Sequence, residues 1–276
     1  MKLNPIGKVD KTIILIVMII IAYMAFSDKG GPRGAGTKKS PSANTTPARQ
    51  PMVDPVPTRD PGLWPPPAEG KVEMALDLEA SNYLIVFDGS GSMSDRECSG
   101  RDPKIHVARA AVKKFIDSLG PGDNVALVGF GGMPHGMKKT DLIEHGFVSG
   151  DTSGAIQTLE KIFPMGNTPL SQAMKRGLSM LEGQARRQGG YGKYNMIIIT
   201  DGVATDSDPS VTARMIVSSS MVRIHAIGFC LDGKHKLDVP GYTRYSTANN
   251  PQTLEEGLQS VLAESDQFDP GTFVEQ

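Results

Sequence analysis

The chain has almost no net charge, no internal repeat and neither of two common catalytic signatures. Its 29 Lys and Arg residues nearly cancel its 30 Asp and Glu residues, so no overall field draws it to nucleic acid. No Gly-x-x-x-x-Gly-Lys-Ser/Thr segment is present to hold a nucleotide phosphate, and no Gly-x-Ser-x-Gly elbow exposes a nucleophilic serine. The sequence therefore disfavours nucleic-acid binding, P-loop chemistry and serine acyl transfer, and a repeat architecture is excluded.

An apolar segment without any charge lies near the N-terminus, from Thr12 to Phe26. It is apolar on every face and follows Lys2, Lys8 and Lys11, as in a signal anchor. Fifteen residues fall short of the ~20 that span a bilayer upright, but Ser27 and local thinning narrow the gap. No Ala-x-Ala site follows, so an uncleaved anchor at 12–27 is favoured over a cleaved signal. We expect residues 1–11 in the cytoplasm and the rest outside it, although the flanking positive charges do not decide the orientation.

The chain then changes character twice. Residues 28–70 are rich in Pro and Gly and lack apolar periodicity, which predicts a disordered linker of extended reach. Trp64 lies in this stretch, and docking on the domain or exposure to solvent are equally consistent with the sequence. Residues 71–265 form the predicted globular domain, and residues 266–276 a loosely ordered tail.

Short apolar runs alternate with amphipathic segments throughout the predicted domain. Strands are expected at 82–87, 125–130, 142–148, 195–200, 222–228 and 245–248, with helices at 105–119, 154–162, 170–186, 209–220 and 251–264. This order predicts an α/β fold, with a doubly wound, mostly parallel central sheet flanked by helices. In such a sheet, ligands bind outside the carboxyl ends of the strands.

Five oxygen-bearing side chains follow strands or precede a helix in this pattern: Asp88, Ser90, Ser92, Thr168 and Asp201. Each alone is typical of a turn or a helix cap, and Thr168 before Pro169 fits the cap position of the helix from 170. If the two Asp-bearing strands are neighbours, all five converge. Two carboxylates and three hydroxyls suit Mg²⁺, with Mn²⁺ or Ca²⁺ possible, and the absence of His and Cys from the set disfavours zinc.

These motifs resemble the metal-ion-dependent adhesion site of von Willebrand factor A (VWA) domains. The resemblance rests on Asp88-x-Ser90-x-Ser92, on Thr168 in Gly-x-Thr-Pro and on Asp201 in Thr-Asp-Gly. It implies a VWA/Rossmann-like fold in which the hydroxyls bind the cation directly or through water and the two carboxylates anchor it mainly through waters. It also implies a coordination position left open for an Asp or Glu carboxylate of a protein partner. The resemblance thus favours a binding protein without enzymatic activity, and the apolar segment at 12–27 places it in the membrane with its domain in the periplasm or at the cell surface.

Two other functions remain open at this point. Asp88 could accept a phosphoryl group in a metal-dependent phosphohydrolase, although Ser90 stands where such enzymes place a second carboxylate. The family also includes scaffold subunits that work with AAA-type ATPases.

The two cysteines, Cys98 and Cys230, are both expected in loops at the carboxyl edge of the sheet. Outside the cytoplasm they could form a disulfide, which is slightly favoured over two free thiols. His225 is expected to be packed in a strand, and His235 to make hydrogen bonds within its loop.

Overall fold

The computed structural model describes residues 62–132, 142–148, 151–231 and 233–265. The predicted anchor at 12–27, most of the linker and the tail at 266–276 lie outside the described residues. Within the described part of the chain, no helix is long and apolar enough to cross a membrane.

A six-stranded sheet forms the centre of the domain, in the order β3-β2-β1-β4-β5-β6. The strands are β1 (Ser81–Asp88), β2 (Asn124–Phe130), β3 (Ile143–His145), β4 (Lys193–Thr200), β5 (Arg223–Phe229) and β6 (Thr243–Ala248). All neighbours are parallel except β2 and β3, which pair in antiparallel fashion at one edge. The predicted doubly wound, mostly parallel sheet is confirmed, and the strand expected at 142–148 is only three residues long.

Five α-helices cover the two faces of the sheet. They are α1 (Lys104–Asp117), α2 (Thr152–Glu160), α3 (Leu170–Arg187), α4 (Pro209–Ser219) and α5 (Pro251–Ser265). Alternate residues of β1 enter opposite cores: Ile85 and Phe87 pack in the core with α1, α2 and α5, whereas Leu84 and Val86 pack with α3 and α4. Because both faces are buried, the central strands are apolar nearly throughout, with Asn195 in β4 and His225 in β5 among the buried polar exceptions.

Trp64 packs against the domain instead of standing in solvent. Its ring meets Tyr194 edge-on with the centroids 5.4 Å apart, and the side chain is half-buried. Nearby, the Arg186 guanidinium donates to the Pro66 carbonyl over 2.8 Å. The chain that enters the domain thus runs along α3 and the start of β4.

His225 on β5 is buried, as expected for a packed strand residue, and only 5% of it is exposed. Burial, together with the positive charges of Arg244 and Arg223, lowers the pKa of His225 to about 4. Glu264 of α5 is the acidic group that faces it, with a carboxylate oxygen 3.7 Å from Nδ1. The native domain therefore holds this imidazole neutral, whereas the unfolded chain takes up a proton near pH 6.5.

This difference predicts a loss of stability in acid. Stability from the neutral His225 is fully present above about pH 6.5 and is lost as the pH falls toward 4, because only the unfolded chain binds the proton in that window. The His225→Gln variant should lose less free energy of unfolding than the wild type between pH 7 and pH 4, by about 2–3 kcal/mol. Urea unfolding at both pH values measures this, and equal losses in the two proteins would contradict it.

Candidate metal centre

The pairing of β1 with β4 brings the two predicted carboxylates to the same edge of the sheet. Phe87 lies opposite Ile199 in the parallel ladder, so Asp88 ends its strand beside Thr200, and Asp201 follows directly. The Thr200 hydroxyl donates to Asp88 Oδ2 over 2.6 Å, and the Ser90 amide donates to Asp88 Oδ1 over 2.8 Å. Asp88 is fully buried, so neither of its oxygens is presented to solvent.

Burial dominates the electrostatics of Asp88. It raises the pKa of the carboxyl to about 6, although hydrogen bonds from Ser90 and Thr200 act in the opposite direction and the neighbouring charge of Asp201 adds to the rise. At neutral pH the group is therefore mostly ionised, but at a cost in free energy. A cation beside it would offset that cost.

The three hydroxyls gather around Asp201 and Gly202. Ser92 donates to Asp201 Oδ1 over 2.7 Å, and the Ser90 and Ser92 oxygens are 3.2 Å apart. A Cβ placed on Gly202 would lie 3.7 Å from both the Ser92 and the Thr168 hydroxyl oxygens. Ser92 is exposed whereas the other four residues are buried, so the group opens to solvent at Ser92. The structure thus brings together all five side chains that the sequence singled out.

Thr168 does not cap α3, contrary to the expectation from the sequence. The helix begins at Leu170, and its first amides are satisfied by Asp206, which accepts from Ser171 over 3.3 Å and from Gln172 over 2.8 Å. The carboxylate reaches the helix from the loop after β4, a contact that local sequence cannot show. Because Asp206 satisfies these amides, the Thr168 hydroxyl is left to face Gly202.

Position 89, directly after Asp88, has no room for a side chain. A Cβ there would lie 2.3 Å from Ile162 Cγ2 and 2.4 Å from the Phe130 carbonyl oxygen, so any side chain would collide with both. The same loop is tied to the segment before Thr168, since the Met165 amide donates to the Gly89 carbonyl over 3.0 Å. The close approach fixes the two hydroxyl-bearing loops relative to each other.

Lys104 is a member of the site that the sequence did not reveal. It is the first residue of α1 and is only 3% exposed, with its ammonium 3.0 Å from Asp201 Oδ2 and 2.9 Å from a Glu97 oxygen. Burial disfavours the charged ammonium, but hydrogen bonds to Glu97 and Asp201 outweigh it and raise the pKa of Lys104 above its usual value. In the sequence, only the length of the loop between Ser92 and this helix indicates additional contacts at the site. It does not identify Lys104 as the residue that makes them.

His235 supports the Asp201 loop from the other side. Its Nδ1 accepts from the Leu237 amide over 3.2 Å, which leaves Nε2 to donate to the Gly202 carbonyl over 3.0 Å. The ring also stacks on Tyr245. The predicted loop hydrogen bonds are present, and one of them reaches the candidate site.

Cys98 and Cys230 are joined in a disulfide bond, with their Cα atoms 5.5 Å apart. The bridge links the loop before α1 to the residue that follows β5. It lies directly after Glu97, so it fixes the backbone beside the carboxylate that holds Lys104.

The donors present suit a hard divalent cation. Hydroxyl and carboxylate oxygens, with an opening toward solvent, match the preference of Mg²⁺ for oxygen ligands and retained waters. Among the residues that the structure describes, no three His, Cys, Asp or Glu side chains cluster as a metal site, so hydroxyls are essential to this one. Ser90, Ser92 and Thr168 are the side chains that could hold the ion directly, with Asp88 and Asp201 behind them.

Comparison with known families and sequences gives a consistent result. The model of the von Willebrand factor type A domain matches residues 83–263. The protein YwmD of Bacillus subtilis (strain 168), itself uncharacterised, is 28% identical over 194 residues, which are 65% of this chain and 84% of that protein.

Solved structures share the fold. The pilus adhesin SpaC of Lactobacillus rhamnosus GG aligns with a TM-score of 0.56 and 20% identity, covering 70% of this chain and 31% of the adhesin. A von Willebrand factor type A protein from Catenulispora acidiphila aligns with a TM-score of 0.52 and 19% identity, covering 68% of this chain and 43% of that protein. The chain thus spans about a third of the length of the adhesin, and at these identities the likeness concerns the fold.

Proposed function

The chain belongs to the von Willebrand factor type A family, and we propose that its domain binds a divalent cation, Mg²⁺ in the cell, and a protein partner through that ion. The observation that carries this proposal is the gathering of the Ser90, Ser92 and Thr168 hydroxyls around Asp201 and Gly202. The three hydroxyls come from two separate loops, which backbone hydrogen bonds from Met165 to Gly89 and from Gly91 to Gly166 hold side by side.

Each side chain has a distinct part in the proposed site. The Ser90, Ser92 and Thr168 oxygens are neutral donors that contact the ion. Asp201 accepts a hydrogen bond from the Ser92 hydroxyl and so orients the lone pairs of the Ser92 oxygen. The buried Asp88 supplies negative charge and accepts a hydrogen bond from the Ser90 amide. When bound, the cation supplies a Lewis-acidic position for an oxygen ligand from outside the domain.

The surroundings of the site support a protein as the ligand. The exposed apolar side chains of Met165 and Val203 stand beside the hydroxyl-bearing loops, with 54% and 69% of their surfaces accessible. We propose that a partner places an Asp or Glu carboxylate on the cation and covers these two side chains. Apolar area around a polar centre is typical of protein interfaces.

Phosphoryl transfer on Asp88 receives no support from the geometry. Both carboxylate oxygens accept hydrogen bonds, from the Ser90 amide and the Thr200 hydroxyl, and the side chain is fully buried. A nucleophile must reach its substrate, and this carboxylate cannot do so without leaving those partners. The proposed function is therefore binding and not catalysis.

The disulfide supports a location outside the cytoplasm. Disulfides persist in oxidising compartments and are rare in the cytosol, and this domain contains one beside its candidate site. We propose that the apolar segment at 12–27 anchors the protein in the membrane and that the domain lies in the periplasm or at the cell surface.

Removing one anchoring carboxylate should weaken cation binding strongly. We expect the wild-type domain to bind one Mn²⁺ or Mg²⁺, and Asp88→Asn and Asp201→Ala to lower the affinity about 10- to 100-fold, because each loses charge and orientation of the donors. Isothermal titration calorimetry measures this. Asp151→Asn is a matched control, since Asp151 caps α2 at an exposed position away from the site. Unchanged affinity in both site variants would refute the metal site.

Partner binding should depend on the cation. Immobilised wild-type domain, incubated with extract of the source cells in Mg²⁺, should retain proteins that chelation with EDTA releases. Thr168→Ala should fail to retain the same proteins, because it removes one neutral donor without changing charge. An AAA-type ATPase among them would support the scaffold function instead. Retention that is equal with and without EDTA would exclude the cation as the bridge.

The location can be tested in intact cells. Protease added to cells, or to spheroplasts where an outer membrane is present, should remove the domain while leaving a cytoplasmic control protein whole. The membrane fraction should contain the full-length protein before treatment. Complete protection of the domain would reverse the proposed topology, and a shortened protein free in the medium would indicate cleavage of the segment at 12–27.

A further inference from the structure

Lys104 places a buried positive charge in direct contact with the proposed cation site. Its ammonium lies between Asp201 Oδ2 at 3.0 Å and Glu97 Oε2 at 2.9 Å. A buried ammonium is costly unless it is paired, and Asp201 and Glu97 each accept one of its three donors. Its position at the start of α1, with the backbone amide donating to the Asp95 carbonyl over 2.8 Å, fixes it toward Asp201.

One carboxylate links Lys104 to the cation donors. Asp201 accepts from Ser92 through Oδ1 and from Lys104 through Oδ2, so the two groups bind opposite oxygens of the same side chain. Any cation held by Ser92 therefore shares Asp201 with the ammonium. Positive charge at such short range acts through a buried carboxylate and is only weakly screened by solvent.

Asp88 and Asp201 do not balance the charges of the site once Lys104 is included. Asp88 and Asp201 together balance one divalent cation, and the ammonium then adds a positive charge. Glu97 offsets part of it, but its side chain is 63% exposed and water screens its charge more than that of the buried groups. With Glu97 counted in full the formal charges of the loaded site cancel, and screening of the exposed Glu97 by water leaves the effective balance around Asp201 positive.

We propose that Lys104 sets the selectivity of this site, weakening its hold on the cation while strengthening its hold on an anionic, carboxylate-bearing ligand. The inference rests on the proposed cation site and goes beyond it by assigning the preference for an anion to a residue that is not a metal ligand. Lys104 would act through Asp201, by adding positive charge beside the ion without binding it. A side chain that only stabilised the fold would have no reason to act on the two affinities in opposite directions.

Contacts within the loop before α1 hold Glu97 close to the Lys104 ammonium. Glu97 stands directly before Cys98, whose disulfide to Cys230 ties the loop to the end of β5. The Ser99 hydroxyl donates to the Asp102 carbonyl over 2.7 Å and closes the turn that leads into the helix. Glu97 is thereby held over Lys104, although its own side chain is largely exposed.

Replacing Lys104 by methionine tests the inference, since it removes the charge and keeps an unbranched chain. We expect Lys104→Met to bind Mn²⁺ about tenfold more tightly in calorimetry, because one repulsive charge is lost. With Mn²⁺ saturating, the same variant should bind acetate several-fold more weakly, as followed by the electron paramagnetic resonance of the bound Mn²⁺. Lys114→Met is the matched control: it removes the same charge from the exposed side of the same helix, where Lys114 pairs with Glu255, and should change neither affinity.

Glu97→Gln provides the converse measurement and remains available if Lys104→Met fails to fold. It leaves Lys104 in place and removes the opposing charge, so Mn²⁺ should bind more weakly and acetate more tightly. Weaker or unchanged Mn²⁺ binding by folded Lys104→Met, or changes of the same sign in both affinities, would overturn the inference while leaving the cation site intact. Absence of Mn²⁺ binding by the wild-type domain would instead overturn the proposed function, and this inference with it.

Discussion

The parallel pairing of β1 with β4 is the constraint on which the candidate site depends. The register that sets Phe87 opposite Ile199 places Asp88 beside Thr200 and brings Asp201 to the same edge. A shift of one residue would turn these side chains to the other face of the sheet and separate the carboxylates from the hydroxyls. Since both strands are buried on both faces, the packing that stabilises the domain is also what fixes this register.

Burial of Asp88 makes this arrangement costly in free energy. With a pKa raised from 3.8 to about 6, the folded domain favours the protonated form, and its stability falls as the pH rises through that range. The difference of about two units corresponds to roughly 3 kcal/mol at neutral pH. A divalent cation at the neighbouring hydroxyls would offset much of that energy, so the proposed ion binding would be coupled to folding through one carboxyl group.

Much of this was predictable because the governing interactions are local. Alternating apolar runs and amphipathic segments predict the sheet and its helices, and Asp88, Ser90, Ser92, Thr168 and Asp201 each lie in a short motif at the end of a strand or the start of a helix. The positions that escaped prediction depend on contacts between distant parts of the chain. Asp206 satisfies the first amides of α3 in place of Thr168, His235 holds the Gly202 carbonyl, and Lys104 reaches Asp201 across 97 positions of sequence.

Because of these distant contacts, the type of ion that the site accepts and the strength and selectivity of its binding can depend on different residues. The hydroxyls and carboxylates determine which ions can bind, and they are the residues that a motif can identify. In the proposed site, the affinity for the ion and the choice of outside ligand would depend on the charges that border the motif. In the proposed site those charges come from Glu97, on the loop that the disulfide ties to the end of β5, and from Lys104, the first residue of α1. Domains with the same five ligands but a different loop before α1 should therefore differ in selectivity while sharing their fold.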